Sequence, residues 1–398
     1  MALISSCNLP FKFGGSILMT TWKSNTFGTT FVKCISSKAM RHRLQAEPKP
    51  APFPYQEKRY NFFRALFDST PNRLDENSKL ILVEGPPTAG KGVLAKELAE
   101  ELDMAYFPAP TQAEKYINSY GFDLKTLDHE LPEPCRSYDE NSFLKDPFKL
   151  SGTKAGRFQL WKFQLRYRRY LDALAHILNT GQGVVMDRSP YSDFTYIEAM
   201  AQHGIVSNNI LRFYHEVRNN SLFALWRPHL VIYLDVPVKE VRLRIENRNR
   251  PFEKSSPATS PAYLQSIENA YKQKFLKEVS DHAEVLIYDW TEVGDTEILV
   301  EDIERLDFDQ YTIYDTKMED WRRVDKWDWN VHRQKFTHGQ DLIMHHTNIP
   351  GISCPEILFD PNDIHVYDRV IDNHVKSVQL RKKNICPLNC PRNHEPRN

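Results

Sequence analysis

The chain has 398 residues, enough for two to three domains of ordinary size and for a hydrophobic core without covalent staples. Its 52 Lys and Arg balance 52 Asp and Glu, which argues against a dedicated nucleic-acid binder, since such proteins carry a basic excess. Aromatic residues at 12% exclude wholesale disorder. No apolar run approaches the ~18 residues that a membrane span needs.

Residues 1–46 hold no Asp or Glu; the first acid is Glu47. The same stretch carries Lys12, Lys23, Lys33, Lys38, Arg41 and Arg43 among scattered Ser and Thr. Acid-poor, basic and hydroxyl-rich is the composition of a mitochondrial transit peptide. A secretory signal needs a compact apolar block, and residues 11–19 are broken by Lys12, Gly14, Gly15 and Ser16. Residues 47–78 read as a linker and N-terminal arm. They open on an extended Pro-rich run at 48–54 and continue into a short amphipathic stretch at 60–67.

From residue 79 the pattern alternates. Short apolar runs at 79–84, 104–107, 183–187, 230–236 and 284–288 suit strands buried on both faces. Segments at 92–102, 156–178, 208–225, 238–247 and 262–279 have helical period. This predicts an α/β domain over 79–290, a parallel sheet flanked by helices. Residues 291–398 read as a C-terminal extension for subunit contacts, with Trp321, Trp327 and Trp329 either in a core or at an interface and a loose end past Arg381. The six cysteines are too few and too scattered for a disulfide scaffold. Cys386, Cys390 and His394 lack an evident fourth ligand, and His345-His346 lacks metal-site spacing, so no metal is assigned.

Residues 85–92 read Gly-Pro-Pro-Thr-Ala-Gly-Lys-Gly between an apolar strand and a helical segment. That is the setting of a phosphate-binding loop: the backbone at Gly85, Gly90 and Gly92 converges its N–H groups on phosphate oxygens, and Lys91 adds a charge. Gly92 stands where such loops carry a Ser or Thr hydroxyl for Mg²⁺. Asp187 and Arg188 end the 183–187 strand, where α/β sheets bind ligands; a carboxylate can hold a metal and an arginine can fork onto phosphate.

These residues resemble the deoxyribonucleoside kinases. The resemblance rests on the loop, on Asp187-Arg188-Ser189 with Tyr191-Ser192-Asp193, on Arg242-x-Arg244-x-Glu246-x-Arg248, and on Tyr263-Leu264 with Ile267 and Tyr271. It implies a P-loop kinase-like fold and a lid carrying Arg242, Arg244 and Arg248, with Arg250 nearby. It also implies that Gln159 reads a base, with Arg166 seven residues on. The family's general base, a glutamate before proline, would fall at Ala109, which cannot take a proton; Glu114 lies five residues later. The family glutamate before the arginine is Asp187 here.

Losing a base and a metal hydroxyl in one pocket points to a fold that no longer works as a kinase. A branch of the family, the kinase-like accessory subunits of mitochondrial complex I, is similar over most of the chain, including 181–185, 228–237 and 267–272. That resemblance implies a non-catalytic subunit, peripheral to the inner membrane on its matrix side, with other complex I subunits as partners and a purine nucleotide as ligand. Flavin adenine dinucleotide is also attributed to that branch, and no residue here singles it out. The competing expectation is an active mitochondrial deoxyribonucleoside kinase using Glu114 or Asp187 as base.

Overall fold

The computed structural model describes residues 34–43, 51–67, 70–111, 113–118, 121–250, 252–312, 314–322 and 325–385. The expectations for residues 1–33 of the address and for Cys386, Cys390 and His394 lie outside them.

Five strands, β1 (Leu80–Glu84), β2 (Ala105–Phe107), β3 (Val184–Asp187), β4 (Leu230–Asp235) and β5 (Glu284–Asp289), form one sheet in the order β2-β3-β1-β4-β5. Every pairing is parallel. The strand period of two decides the layers. Leu80 and Leu82 enter one core and Ile81 and Val83 the other, so β1 is apolar on both faces.

The helices are α1 (Lys91–Glu101), α2 (Thr153–Thr180), α3 (Phe194–Gln202), α4 (Asn208–Leu222), α5 (Val238–Arg248), α6 (Pro261–Ala270), α7 (Thr296–Glu304), α8 (Lys326–His338) and α9 (Pro361–Ile385), with shorter turns between. Side chains of α2, α4 and α8 fill the core with Leu80 and Leu82; those of α1, α5 and α7 fill the other. The segment expected as one helix over 262–279 is α6, then a π turn at Tyr271–Phe275, then a short helix at Leu276–Ser280.

Two expected boundaries shift. Residues 34–43, read as part of the address, pack on the body. Ile35 is 1% exposed in the core beside α1 and α7, and the Ser36 N–H donates to Asn77 Oδ1 at 2.9 Å, which returns a bond to Ser36 O at 2.7 Å. Ser37 N donates to Glu304 at 2.7 Å and Arg41 pairs with Asp75 at 3.0 Å. The packed body therefore starts at Cys34 among the described residues. At the other end, the extension past 290 supplies core. Trp329 and Phe336 are buried against Trp226, and Trp321 packs on the same ring at 4.9 Å, while Trp327 stays exposed. Residues 361–385, weakly periodic in sequence, form the 25-residue helix α9.

A buried carboxylate aligns the functional end of the sheet. Glu84, the last residue of β1, is fully buried. Its oxygens accept from the Ser189 N–H at 2.9 Å, the Ser189 hydroxyl at 2.6 Å, the Ser192 hydroxyl at 2.8 Å and the Tyr271 hydroxyl at 3.3 Å. Burial pushes its pKa up, against the opposing pull of the two serines and Arg188.

Ile35→Ala empties a core site and is expected to cost ~2–5 kcal/mol, read as a lower urea midpoint at unchanged slope. Glu84→Gln places amide donors against donors already aimed at that position, for a loss of about 2–4 kcal/mol in the same measurement.

Candidate nucleotide cleft

The loop between β1 and α1 runs close under the sheet edge. A Cβ at Gly85, whose φ is +151°, would lie 2.8 Å from the Leu234 carbonyl oxygen, so only glycine passes β4 here. Gly90 turns the chain at φ +84° into α1. Thr88, Gly90, Lys91 and Gly92 then line a cleft of about 580 Å³ with Ala109, Asp187, Arg188 and residues of α2 and the lid. The cleft lies at the carboxyl ends of β1 and β3, where an open α/β sheet holds its ligands.

Lys91 is buried, and its ammonium donates to the Pro86 carbonyl of its own loop at 2.6 Å. Burial, then the Arg188 charge, pulls its pKa down to about 7, with Asp187 and Glu84 pulling the other way. Arg188 holds a left-handed φ of +62°, anchors its N–H on Val83 O at 3.1 Å, and lies 4.8 Å from the Tyr196 ring centre. Asp187 Oδ1 is buried with no hydrogen-bond partner. A Cβ at position 92 would come within 3.3 Å of Asp187 Oδ2 and 3.3 Å of the Tyr106 hydroxyl. Gly92 therefore brings no hydroxyl to the loop, and a side chain there would need the Asp187 and Tyr106 tips to give by a few tenths of an ångström. Among the described residues no group of three or more His, Cys, Asp or Glu side chains could hold a metal.

From α2, the cleft receives Trp161, Lys162 and Arg166. Arg166 pairs with the fully buried Asp193, which also accepts from the Tyr214 hydroxyl at 2.7 Å and from Gln159 Nε2 at 2.8 Å. Gln159 is 2% exposed, is not among the residues lining the cleft, and donates its amide N–H to Asp193. Lys162 stands 3.9 Å from Glu140, and burial brings its pKa down to about 8. Lys162 holds the Glu140 carboxyl below the usual range, helped against burial by Arg188 and the lid arginines.

The lid corrects part of the expectation. Arg248 and Arg250 line the cleft, Arg248 paired with Glu253. Arg242 instead donates to Lys254 O at 2.8 Å and Thr259 O at 3.1 Å, and it pairs with Glu246. Arg244 donates to the Trp290 and Thr291 carbonyls, each at 2.8 Å. Both arginines tie α5 to neighbouring backbone, and neither lines the cleft. Gly85 shapes the loop without lining it.

Ala109 does line the cleft, so the position of the family's base faces the ligand space as a methyl group. Glu114 is elsewhere: its carboxylate takes the Thr111 N–H at 2.9 Å and Arg169 at 2.8 Å. Sequence reasoning did not pick out Lys162, Glu140 or the role of Asp193. Lys162 was findable, because Arg166 four residues on shares its helix face. Glu140 had no local signal; the packing of a short helix, Glu140–Lys145, brings it in.

A family model for deoxynucleoside kinase matches residues 81–322. The mouse protein "NADH dehydrogenase [ubiquinone] 1 alpha subcomplex subunit 10, mitochondrial" is 37% identical over 300 residues, 75% of this chain and 79% of its own. The Bos taurus protein of the same name is 38% identical over 73% of this chain and 80% of its own. A deoxyguanosine kinase of Dictyostelium discoideum is 30% identical over 60% of this chain and 74% of its own. The five-stranded parallel sheet, the phosphate loop and these matches agree: this chain belongs to the deoxynucleoside kinase family.

Proposed function

We propose that this chain is a non-catalytic accessory subunit of the mitochondrial NADH:ubiquinone oxidoreductase, held on the matrix side of the inner membrane, and that its kinase-like cleft keeps a purine nucleotide without turning it over. The observation that carries the reading is the make-up of the cleft. Lys91, Lys162, Arg166, Arg188, Arg248 and Arg250 line it against two carboxylates, Asp187 and Glu140, while Ala109 and Gly92 occupy the positions of proton acceptor and metal hydroxyl. Cationic side chains and loop N–H groups grip polyphosphate in the ground state. Phosphoryl transfer also needs a group to take the hydroxyl proton and a placed metal to neutralise developing charge.

The subunit role is supported by relatives named as subunits of the mitochondrial NADH dehydrogenase, matched over most of both chains. No helix of the described residues is long and apolar enough to cross a membrane, which fits peripheral attachment. The choice of a purine is supported by relatives named deoxyguanosine and deoxyadenosine kinase. Flavin adenine dinucleotide has no supporting feature in the cleft beyond its own phosphates. A ligand that binds only the folded state stabilises it by RT ln(1 + [L]/Kd), so retention without turnover has a physical use.

The pure chain is expected to show a thermal shift with purine nucleoside triphosphates, reduced in Lys91→Ala, and no phosphorylation of deoxynucleosides. Deoxynucleoside turnover that Lys91→Ala abolishes would overturn the reading in favour of an active kinase. Ala109→Glu with Gly92→Ser is the gain-of-activity arm, since it restores both missing groups. In detergent-solubilised mitochondria the chain should migrate with the NADH dehydrogenase, and mass spectrometry of the denatured native protein should release a purine nucleotide.

The cleft also predicts a proton signature. Lys91 and Lys162 have pKa values lowered to about 7 and about 8, and a bound phosphate raises both. At pH 8 a triphosphate is already fully ionised, so binding takes protons up from solution. Titration calorimetry in buffers of different ionisation enthalpy should record net uptake, reduced in Lys91→Met.

A further inference from the structure

The molecule has a second, partly open cavity that the nucleotide cleft does not use. It lies between α9, the start of α2 and the insertion at 115–138, with a volume of about 480 Å³. The extension is fastened above it by Arg157 of α2, which donates to Ile357 O at 2.8 Å and Leu358 O at 2.7 Å and stacks 3.7 Å from the Phe359 ring centre. Neither Lys91, Asp187 nor any lid arginine reaches it. Phe158 and its neighbours on α2 separate the two spaces: the 154, 157 and 158 positions face this cavity, and the 162 and 166 positions face the cleft.

The lining is mostly apolar by area and also holds four cations, Lys115, Arg136, Lys154 and Arg157. Along α9, Ile364, Tyr367 and Ile371 fall at i, i+3 and i+7, one stripe of a helix, so the wall runs about 10 Å at the helical rise per residue. Two of its rings, Tyr138 and Phe158, meet edge to face at 85°. An elongated wall with edge-on rings suits a flexible chain over a flat ring system. At the α2 end sits Lys154, 3% exposed. An ammonium has three donors, and the hydrogen bond recorded for Lys154 is a long one, 3.3 Å to Arg136 O. Burial lowers its pKa, and the Glu133 and Asp128 carboxylates nearby pull the other way without making a hydrogen bond to it. Of the two carboxylates in the lining, Asp128 is occupied by the Ser137 N–H at 2.8 Å and by the Ser137 hydroxyl, and Asp368 is solvent-exposed.

We propose that this cavity binds a single-chain amphiphile, an acyl chain ending in a carboxylate or a phosphate monoester, with its anionic end at Lys154 and its chain along α9. The site is independent of the nucleotide reading, because it shares no charged residue with the cleft. It would couple the C-terminal extension to the kinase-like body, since a filled cavity buries apolar surface of both α9 and the insertion.

The test uses the full chain and the fluorescent fatty acid cis-parinarate, with palmitate, palmitoyl lysophosphatidate and methyl palmitate as competitors. Parinarate should bind saturably at one equivalent. The charged competitors should displace it and the neutral ester should compete at least about tenfold less well, the loss expected for one charge-assisted hydrogen bond. Whichever charged competitor is stronger names the head group. Lys154→Met should weaken palmitate by a similar factor and Ile364→Trp should fill the space, both leaving the nucleotide-induced thermal shift unchanged. Absence of saturable binding overturns the proposal, as does a methyl ester equal to the acid, or a folded Lys154→Met that binds like the unaltered chain. If Lys154→Met fails to fold, the comparison of acid with ester on the unaltered protein decides alone.

Discussion

Glu84 closes the central strand with a carboxylate that is fully buried, and the functional end of the sheet is assembled around it. A buried carboxylate is tolerated only when its lone pairs are taken, and here they are taken by three residues from two elements. The Ser189 and Ser192 donors fix the turn after β3. That turn carries Arg188 in its left-handed conformation beside the phosphate loop. The Tyr271 donor brings in the π turn behind α6. Phosphate loop, strand-end arginine and helix are thus placed relative to one another by one side chain that itself never meets ligand.

Around that anchor, the proposed function separates binding from chemistry. Grip on polyphosphate is distributed over backbone N–H groups and several cations, so no single position carries it. Proton abstraction and metal placement each depend on one side chain in one place, and Ala109 and Gly92 hold those places without the needed atoms. A distributed function survives local substitution and a point function does not, which is how the proposed non-catalytic role is compatible with a cleft that stays cationic. Two lid arginines follow the same logic: Arg242 and Arg244 serve backbone carbonyls and hold α5 in place.

Beyond the sheet, segments on either side of the α/β domain complete the body among the described residues. Ile35 enters the core beside α1, and the tryptophan and phenylalanine side chains of α8 complete the core beside α2. Arg157 then straps residues 357–359 across α2, so the cavity beneath α9 exists only because the extension is packed.

The sequence alone carried the sheet, because all five strands at 80–289 are short apolar runs, although only the inner three are buried on both faces and the edge strands β2 and β5 stay partly exposed. It also carried the phosphate loop and the gaps at Ala109 and Gly92, since a motif is a matter of local spacing. Only the tertiary structure decided which arginines reach the cleft, for Arg242 and Arg248 read alike in a helical run and differ only in what packs nearby. It alone committed Gln159 to Asp193, brought Glu140 to the cleft wall and attached residues 34–43 to the body. Those outcomes rest on contacts between residues far apart in the chain, and periodicity and composition hold no record of such contacts.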